Sequence, residues 1–441
     1  MKKNLKILKT ISPFNKTLEI EGDKSISIRW ALLASQAEGK SKSYNLLQSE
    51  DVLNTLNCLR ILGVKVKNLK NSCEIIGSGL NSFNYKKKIV LDAGNSGTLG
   101  RLIMGLLIHS KSTIMIKGDK SLSKRDFLRV TKPLQMFGAK FKTNLGKLPI
   151  TVHGTNYPKP IKYHEKKGSA QCKSSIMLAA LNTKGKTIIK AKKSRDHTEL
   201  LFKYLNIPIK KKITKNFDLI EVKGGKKIKP LNYNIPADIS SSAFFIVLTA
   251  LSKNSKLTIK NVNVNPTRIG VLKILKMMGV KILVNNKRNY KGEKIANLTI
   301  KSKKKLLPIN CPVELNSAAI DEFLLIFLVA AKANGVSYFK KLSELNQKES
   351  PRLIWGAKIL KMMGVKTIVT NDSIKIFGDP NLKVKKNIYI KKFLKDHRVF
   401  MTSVVAALIF GGKWKIFDKD SINTSFPSFL DKIKSLGAKI D

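Results

Sequence analysis

Apolar and polar positions along the chain follow a pattern that recurs. An apolar helix end, a glycine and an apolar–Lys–apolar tail read LRILGVKV from Leu59, LQMFGAKF from Leu134 and LKMMGVKI from Leu275. The same sequence type returns as LKMMGVKT from Leu360 and IKSLGAKI from Ile433, with a looser copy, FKYLNIPI, from Phe202. The marker residues are Gly63, Gly138, Asn206, Gly279, Gly364 and Gly437, spaced by 75, 68, 73, 85 and 73 positions. Gly takes the left-handed conformation that ends a helix without steric cost, and Asn is the next best residue. The alternating tail then predicts a strand. Six units of about 75 residues account for the whole chain.

Each marker helix has a predicted start with capping or proline chemistry, as at Ser49-Glu50-Asp51, Asp196-His197-Thr198, Asn265-Pro266 and Ser350-Pro351. A second helix is predicted in every unit: Ser25–Ala37, Ser96–His109, Ala170–Leu181, Ser240–Leu251, Asp321–Ala333 and His397–Phe410. These are apolar on most faces, which marks them as interior helices with strands wrapped outside them. Each unit reads βαβαββ. One unit is too small to cover two helices, whereas three units can share a helical core. The predicted architecture is α/β (α+β), with two domains, each a pseudo-threefold arrangement of three βαβαββ units around interior helices, an inside-out α/β barrel. The boundary falls near Pro236-Ala237-Asp238, giving domains of 23–237 and of 1–22 with 238–441. The N-terminal strand is assigned to the second domain, whose last unit otherwise lacks a partner.

Composition changes the picture in one respect. The 441 residues hold 84 Lys+Arg against 29 Asp+Glu, a formal charge of +55, which first suggests a nucleic-acid binder. Only ten of those cations are Arg, the Lys are spread evenly, and runs such as Lys86-Lys87-Lys88 and Lys303-Lys304-Lys305 are short. Aromatics are 7% and do not interleave with basic motifs, so a solvated lysine surface is the better reading and no nucleic-acid partner is expected. Cys58, Cys73, Cys172 and Cys311 are scattered without a C-x-x-C, which predicts reduced thiols and neither disulfides nor a zinc site. The apolar stretches Phe323–Ala331 and Ala243–Leu251 are shorter than the roughly 18–20 residues that span a bilayer. No secretory signal is evident, and a soluble, cytoplasmic protein without a membrane partner is expected.

The arginines are informative because they are scarce. Arg29, Arg125, Arg195, Arg352 and Arg398 fall at or just before helix starts, and Arg101 lies one turn in. Helix N-termini attract anions, and Arg clamps phosphate or carboxylate through a planar fork that Lys lacks. Two facing domains would direct six such helix starts at one cleft, which predicts a site for a polyanionic small molecule. Arg60, Arg129, Arg268 and Arg288 are read as surface or structural. Three segments carry acid–base candidates: Asp321-Glu322, Lys348-Glu349-Ser350-Pro351-Arg352 and Asp396-His397-Arg398.

These residues, together with Gly22-Asp23-Lys24-Ser25-Ile26-Ser27-Ile28-Arg29, Ala93-Gly94-Asn95-Ser96-Gly97-Thr98, Ser123-Lys124-Arg125, Ser169-Ala170-Gln171 and Ser194-Arg195-Asp196-His197-Thr198-Glu199, resemble the motifs of the EPSP synthase (3-phosphoshikimate 1-carboxyvinyltransferase) family in order and spacing over nearly the full chain. The resemblance implies the two-domain fold above. It implies transfer of the enolpyruvyl group of phosphoenolpyruvate to the 5-hydroxyl of shikimate 3-phosphate with release of phosphate. It also implies a monomer that uses neither a metal nor an organic cofactor.

By the same resemblance Lys24 touches both substrates. Ser25, Arg29, Ser169, Lys348 and Arg195 contact shikimate 3-phosphate, and Gly97, Arg125, Arg352 and Arg398 contact phosphoenolpyruvate. Gln171 lies between the two. Asp321 takes the hydroxyl proton, and Glu349, assisted by Lys348, handles the proton at the enol methylene. The chain departs from the family where Pro351 replaces a usual Asp, Asp126 a usual Pro and Ile28 an often polar residue, and where Thr424-Ser425-Phe426-Pro427 lacks a Lys that many members carry. A sibling enzyme that transfers enolpyruvyl to UDP-N-acetylglucosamine is the nearest alternative. It typically uses a loop cysteine, and Cys58, Cys73 and Cys172 fall in predicted helices or strands instead.

Overall fold

The six marker residues are where helices stop. In a computed structural model describing residues 4–69, 72–85, 87–303 and 305–441, all six have positive φ, from 55° at Asn206 to 106° at Gly138. At five of them the following N–H reaches back to a carbonyl five residues earlier, at 2.9–3.4 Å, as from Val64 to Leu59 and from Val280 to Leu275. That bond closes a helix around a left-handed residue. Of the basic runs named above, Lys86 and Lys304 lie outside the described residues.

Every repeat builds one small sheet of three or four strands, and the order is the same each time. In the second repeat Ile89–Asp92 runs parallel to Ile114–Lys117, which pairs antiparallel with Lys147–His153, which pairs antiparallel with Lys140–Asn144. Helices Gly97–Leu106 and Leu128–Gln135 make the connections. Right-handed crossovers of this kind put both helices on one face of the sheet.

The repeats differ from six uninterrupted βαβαββ segments in where their strands come from. The first sheet takes an edge from Tyr233–Asn234, parallel to Glu38–Tyr44, with paired residues 190 positions apart in the chain. The fourth takes Asn15–Leu18, parallel to Lys256–Asn263. The sixth takes Asn4–Ile7, antiparallel to Lys413–Phe417. A closed ring of three units made from one chain must be cut somewhere, and here the cuts separate a strand from its own repeat. In the fifth sheet the first strand shrinks to a bridge between Asn310 and Tyr338.

The second set of helices is interior, as their composition predicts. Every residue of Ile239–Leu251 and of Phe323–Ala331 is buried. Burial of each Leu, Ile or Phe there contributes about 1.5–3 kcal/mol. Lys24–Ala34, Gly97–Leu106 and Ala170–Leu181 fill one apolar core, and Ile239–Leu251, Phe323–Ala331 and His397–Phe410 fill another. The chain divides accordingly into a first unit, Gly22–Ile235 with Tyr290–Glu293, and a second, comprising the chain up to Glu21, Pro236–Asn289 and Lys294–Asp441.

The four residues Tyr290–Glu293 are the turn between strands Lys281–Tyr290 and Glu293–Lys301, and they pack as part of the first unit. There Glu293 Oε1 lies 2.6 Å from His197 Nδ1, both fully buried. The ammonium of Lys291 lies 5.3–5.6 Å from the ring centres of Tyr204, Tyr233 and Tyr290.

One predicted helix start is corrected. The helix expected from Asn265-Pro266 begins only at Gly270. Asn265 Oδ1 accepts from both the N–H and the hydroxyl of Thr267 at 2.8 Å, closing a side-chain turn where a helical turn was expected. No helix among the described residues is long and apolar enough to cross a membrane.

Candidate active site

Five of the six interior helices begin with an Asp or Ser whose side chain accepts from a first-turn N–H. Asp23 serves Ile26, Ser96 serves Leu99, Ser169 serves Cys172, Asp238 serves Ser240 and Asp396 serves Arg398. Capping leaves the remaining orphan N–H groups of each first turn aimed outward, which favours anions. The sixth helix, Phe323–Ala331, has Glu322 at the cap position and no such bond.

In the first unit the proposed cations are held mainly by neutral oxygens. Arg29 is buried, with Nε donating to Thr198 Oγ1 at 2.8 Å, Nη2 to Ser174 Oγ at 3.0 Å and Nη1 to the Ser25 carbonyl at 3.1 Å. The two hydroxyls lie 2.7 Å apart, so the fork has one resting geometry. Arg125 Nη2 donates to Asn95 Oδ1 at 3.0 Å. Gly97 is the first residue of its helix, and a Cβ there would lie 2.8 Å from Arg101 Nη1 and 3.1 Å from Arg125 Nη1. Gln171 is fixed at both ends: Oε1 accepts from Arg101 Nη1 at 2.9 Å, and Nε2 donates to Thr98 Oγ1 at 3.1 Å.

Lys24 pairs with a carboxylate, Asp51 Oδ2 at 2.8 Å. Asp51 is thus a partner for Lys24, and Ser49 at the cap position makes no side-chain cap, which corrects the simple capping reading of Ser49-Glu50-Asp51. Ser169 spends its oxygen on the cap already described. Arg195 is half-buried in the loop that leads into His197–Tyr204. Beneath the site Lys173 and Glu199 form a buried pair at 2.6 Å.

In the second unit the predicted residues converge on one guanidinium. Arg352 Nη1 is 3.2 Å from Asp321 Oδ1, its Nη2 donates to Glu349 Oε2, and its Nε donates to Asp396 Oδ2 at 2.9 Å. Lys348 Nζ lies 3.3 Å from the same Asp321 oxygen. Burial opposes the charge on Arg352, but the carboxylates of Asp396, Glu349 and Asp321 outweigh it and raise its pKa above the usual guanidinium value. Asp321 and Glu349 therefore bracket Arg352 from its two terminal nitrogens. Arg398 joins the group by donating from Nη1 to the Asp321 carbonyl at 2.7 Å.

Asp396 is the hub of this arrangement. It is fully buried and accepts from Ser350 N at 3.2 Å, Ser350 Oγ at 2.9 Å, Arg352 Nε and Nη2 at 2.9 and 3.3 Å, and Arg398 N at 2.9 Å. With both oxygens engaged by these donors, Asp396 ties Ser350, Arg352 and the first turn of His397–Phe410 together. His397 is buried, with Nδ1 3.3 Å from Thr424 Oγ1.

Supporting contacts come from Asp51, Arg101, Ser174, Thr198, Glu322 and Asp396. All but Ser174 stand in segments or among the arginines already singled out in the sequence. Ser174 carries no signal, because a hydroxyl inside a helix looks like any other. Arg268 is buried and joined to Asp238 and Ser240, so its role is structural and the surface alternative falls.

The arrangement supplies fixed cations for carboxylate and phosphate groups, plus two carboxylates beside one guanidinium. It is suited to proton transfer on a polyanionic substrate. All four cysteines are buried and free. Burial pushes Cys58, Cys73 and Cys172 up to about 12 and Cys311 to about 11.

Comparison with known proteins gives a consistent answer. Residues 8–433 match the family model described as EPSP synthase (3-phosphoshikimate 1-carboxyvinyltransferase). A 3-phosphoshikimate 1-carboxyvinyltransferase of Ruthia magnifica subsp. Calyptogena magnifica is 39% identical over 436 residues, covering 99% of this chain and 98% of that protein. A solved EPSP synthase from Acinetobacter baumannii superposes with a TM-score of 0.87 at 35% identity, covering 99% of both chains. The enolpyruvyl transferase NikO from Streptomyces tendae superposes at 0.79 with 14% identity over 100% and 99% of the chains, a likeness of fold alone.

Proposed function

The chain belongs to the EPSP synthase family, and from that premise we propose that it transfers the enolpyruvyl group of phosphoenolpyruvate to the 5-hydroxyl of shikimate 3-phosphate, in the shikimate pathway of aromatic amino acid synthesis. The observation that carries the residue assignment is the bracketing of Arg352 by Asp321 and Glu349 at opposite terminal nitrogens.

Arg352 and Arg398, with Arg125 and Gly97, bind phosphoenolpyruvate. Ser25, Arg29, Ser169, Arg195 and Lys348 bind shikimate 3-phosphate, with Lys24 and Gln171 touching both. Protonated Glu349 delivers its proton to the methylene carbon of phosphoenolpyruvate. Positive charge then builds on the adjacent carbon, and the 5-hydroxyl oxygen bonds to it while Asp321 takes the hydroxyl proton. The tetrahedral adduct collapses as the Glu349 carboxylate recovers a proton from the new methyl group and the carbon–oxygen bond to phosphate breaks. Lys348, paired with Asp321 in the resting state, stabilises the carboxylates as protons move. Preorganised charge and positioning supply most of the rate. The enzyme works as a cytoplasmic monomer on these small molecules, with no nucleic-acid partner.

Phosphate release tests this directly. Phosphate should appear with shikimate 3-phosphate and phosphoenolpyruvate together and not when either is omitted. Release without shikimate 3-phosphate, or none with both, would overturn the assignment.

A further inference from the structure

Glu322 is the exception among the interior helix starts. It holds the cap position of Phe323–Ala331 with φ −109° and ψ 0°, yet its side chain caps nothing. The carboxylate crosses instead to the start of the neighbouring helix Ile239–Leu251, where Oε1 accepts from Ser240 Oγ at 2.6 Å. Ser240 Oγ accepts in turn from Arg268 Nη2 at 2.8 Å, and the same nitrogen lies 3.3 Å from Asp238 Oδ1. On its other side Glu322 Oε1 faces Arg398 Nη1 at 3.5 Å. This line of side chains is sealed from water: Glu322 is 1% exposed, Arg268 2% and Ser240 3%.

A capping role does not explain a glutamate here. Ser or Asp caps a helix better, and a buried carboxylate carries a desolvation cost that only good partners offset. What Glu322 does touch is informative. Its backbone forms the turn that carries Asp321, and Arg398 Nη1 is shared between the Asp321 carbonyl and the Glu322 carboxylate. Among the described residues Nη1 is the one side-chain nitrogen of Arg398 so engaged, which leaves Nε and Nη2 to meet an anion.

We propose that Glu322, anchored by Ser240 and Arg268, is a positioning residue that sets the Arg398 guanidinium and the turn bearing Asp321. The proposal rests on the roles given above to Arg398 and Asp321. Its action is selective: it orders the phosphoenolpyruvate side of the reaction and does not touch shikimate 3-phosphate.

Steady-state kinetics of Glu322→Gln test it, since Gln keeps the shape and removes the charge facing Arg398. We expect the KM for phosphoenolpyruvate to rise about tenfold and kcat to fall by a similar factor, as for loss of a charge-assisted bond. The KM for shikimate 3-phosphate should stay within about twofold. In an Arg398→Lys background the same change should add little to the KM, because positioning acts through Arg398. Ser240→Ala should act in the same direction by about threefold, and it decides the matter if Glu322→Gln does not fold. Lower thermal stability with both constants unchanged, or equal losses for both substrates, would overturn the proposal while wild-type activity stands. An inactive wild type would overturn the functional reading and this inference with it.

Discussion

The two units hold their arginines by different chemistry. In the first, Arg29 rests on two hydroxyls and a carbonyl, Arg101 on carbonyls and an amide, and Arg125 on an amide. In the second, Arg352 rests on three carboxylates. A neutral acceptor fixes a guanidinium without cancelling its charge. A carboxylate fixes and neutralises it at once. An anion can reach Arg352 only by taking over from a carboxylate, and those that can yield are the two proposed to move protons. On the proposed mechanism one unit binds, and the other exchanges partners during the reaction.

The largest test of that contrast removes the exchangeable carboxylates. Asp321→Ala or Glu349→Gln should each lower kcat by about 10²–10⁴ in the phosphate-release assay, the usual worth of a general acid or base. Near-normal turnover in both would end the acid–base assignment. Next is stability. Arg352→Met strands the buried Asp396 carboxylate and should cost about 3–5 kcal/mol in urea unfolding. Arg29→Met removes hydrogen bonds to the Thr198 and Ser174 hydroxyls and the Ser25 carbonyl and should cost about 1–3 kcal/mol. Equal losses would erase the distinction between the units.

Smaller effects follow in the first unit. Arg125→Lys replaces a fork by a point charge and should raise the KM for phosphoenolpyruvate about tenfold. Gly97→Ala should raise it less, because the new methyl presses on the movable ends of Arg101 and Arg125. An unchanged KM in both would remove phosphoenolpyruvate from this side.

The smallest expected response is that of the thiols. With Cys58, Cys73 and Cys172 pushed to about 12 by burial, roughly one thiol in ten thousand is ionised at pH 8. Iodoacetamide should leave the native protein unlabelled by mass spectrometry. Fast labelling of any of the three would reopen the reading of a cysteine-using relative. Because folding raises these values from 9.0, their contribution to stability is complete below pH 9 and is lost as pH rises through about 12.

The fold was legible because its punctuation is local. A helix stop needs one left-handed residue, and Gly63 through Gly437 carry that requirement in the sequence itself. The arginines were legible because lysine serves almost everywhere else. What stayed hidden depends on partners distant in the chain. Asp396 follows a lysine and precedes a histidine and looks like a cap, yet its main partners Ser350 and Arg352 lie 46 and 44 positions earlier. Glu322 reads as the second half of an acidic pair until Ser240, 82 positions away, is seen against it. Asn265 failed as a helix start because its side chain closes a turn onto Thr267, a local alternative to helix.

The borrowed strands also impose a timetable on biosynthesis. Asn4–Ile7 and Asn15–Leu18 are made well before the strands they pair with, Lys413–Phe417 and Lys256–Asn263. At about 5–20 residues per second the first of them waits on the order of tens of seconds. Through that interval Leu5 and Ile7, core residues of the finished protein, lack the strand that covers them. These two strands therefore cannot reach their final sheets until chain hundreds of residues further on has been made.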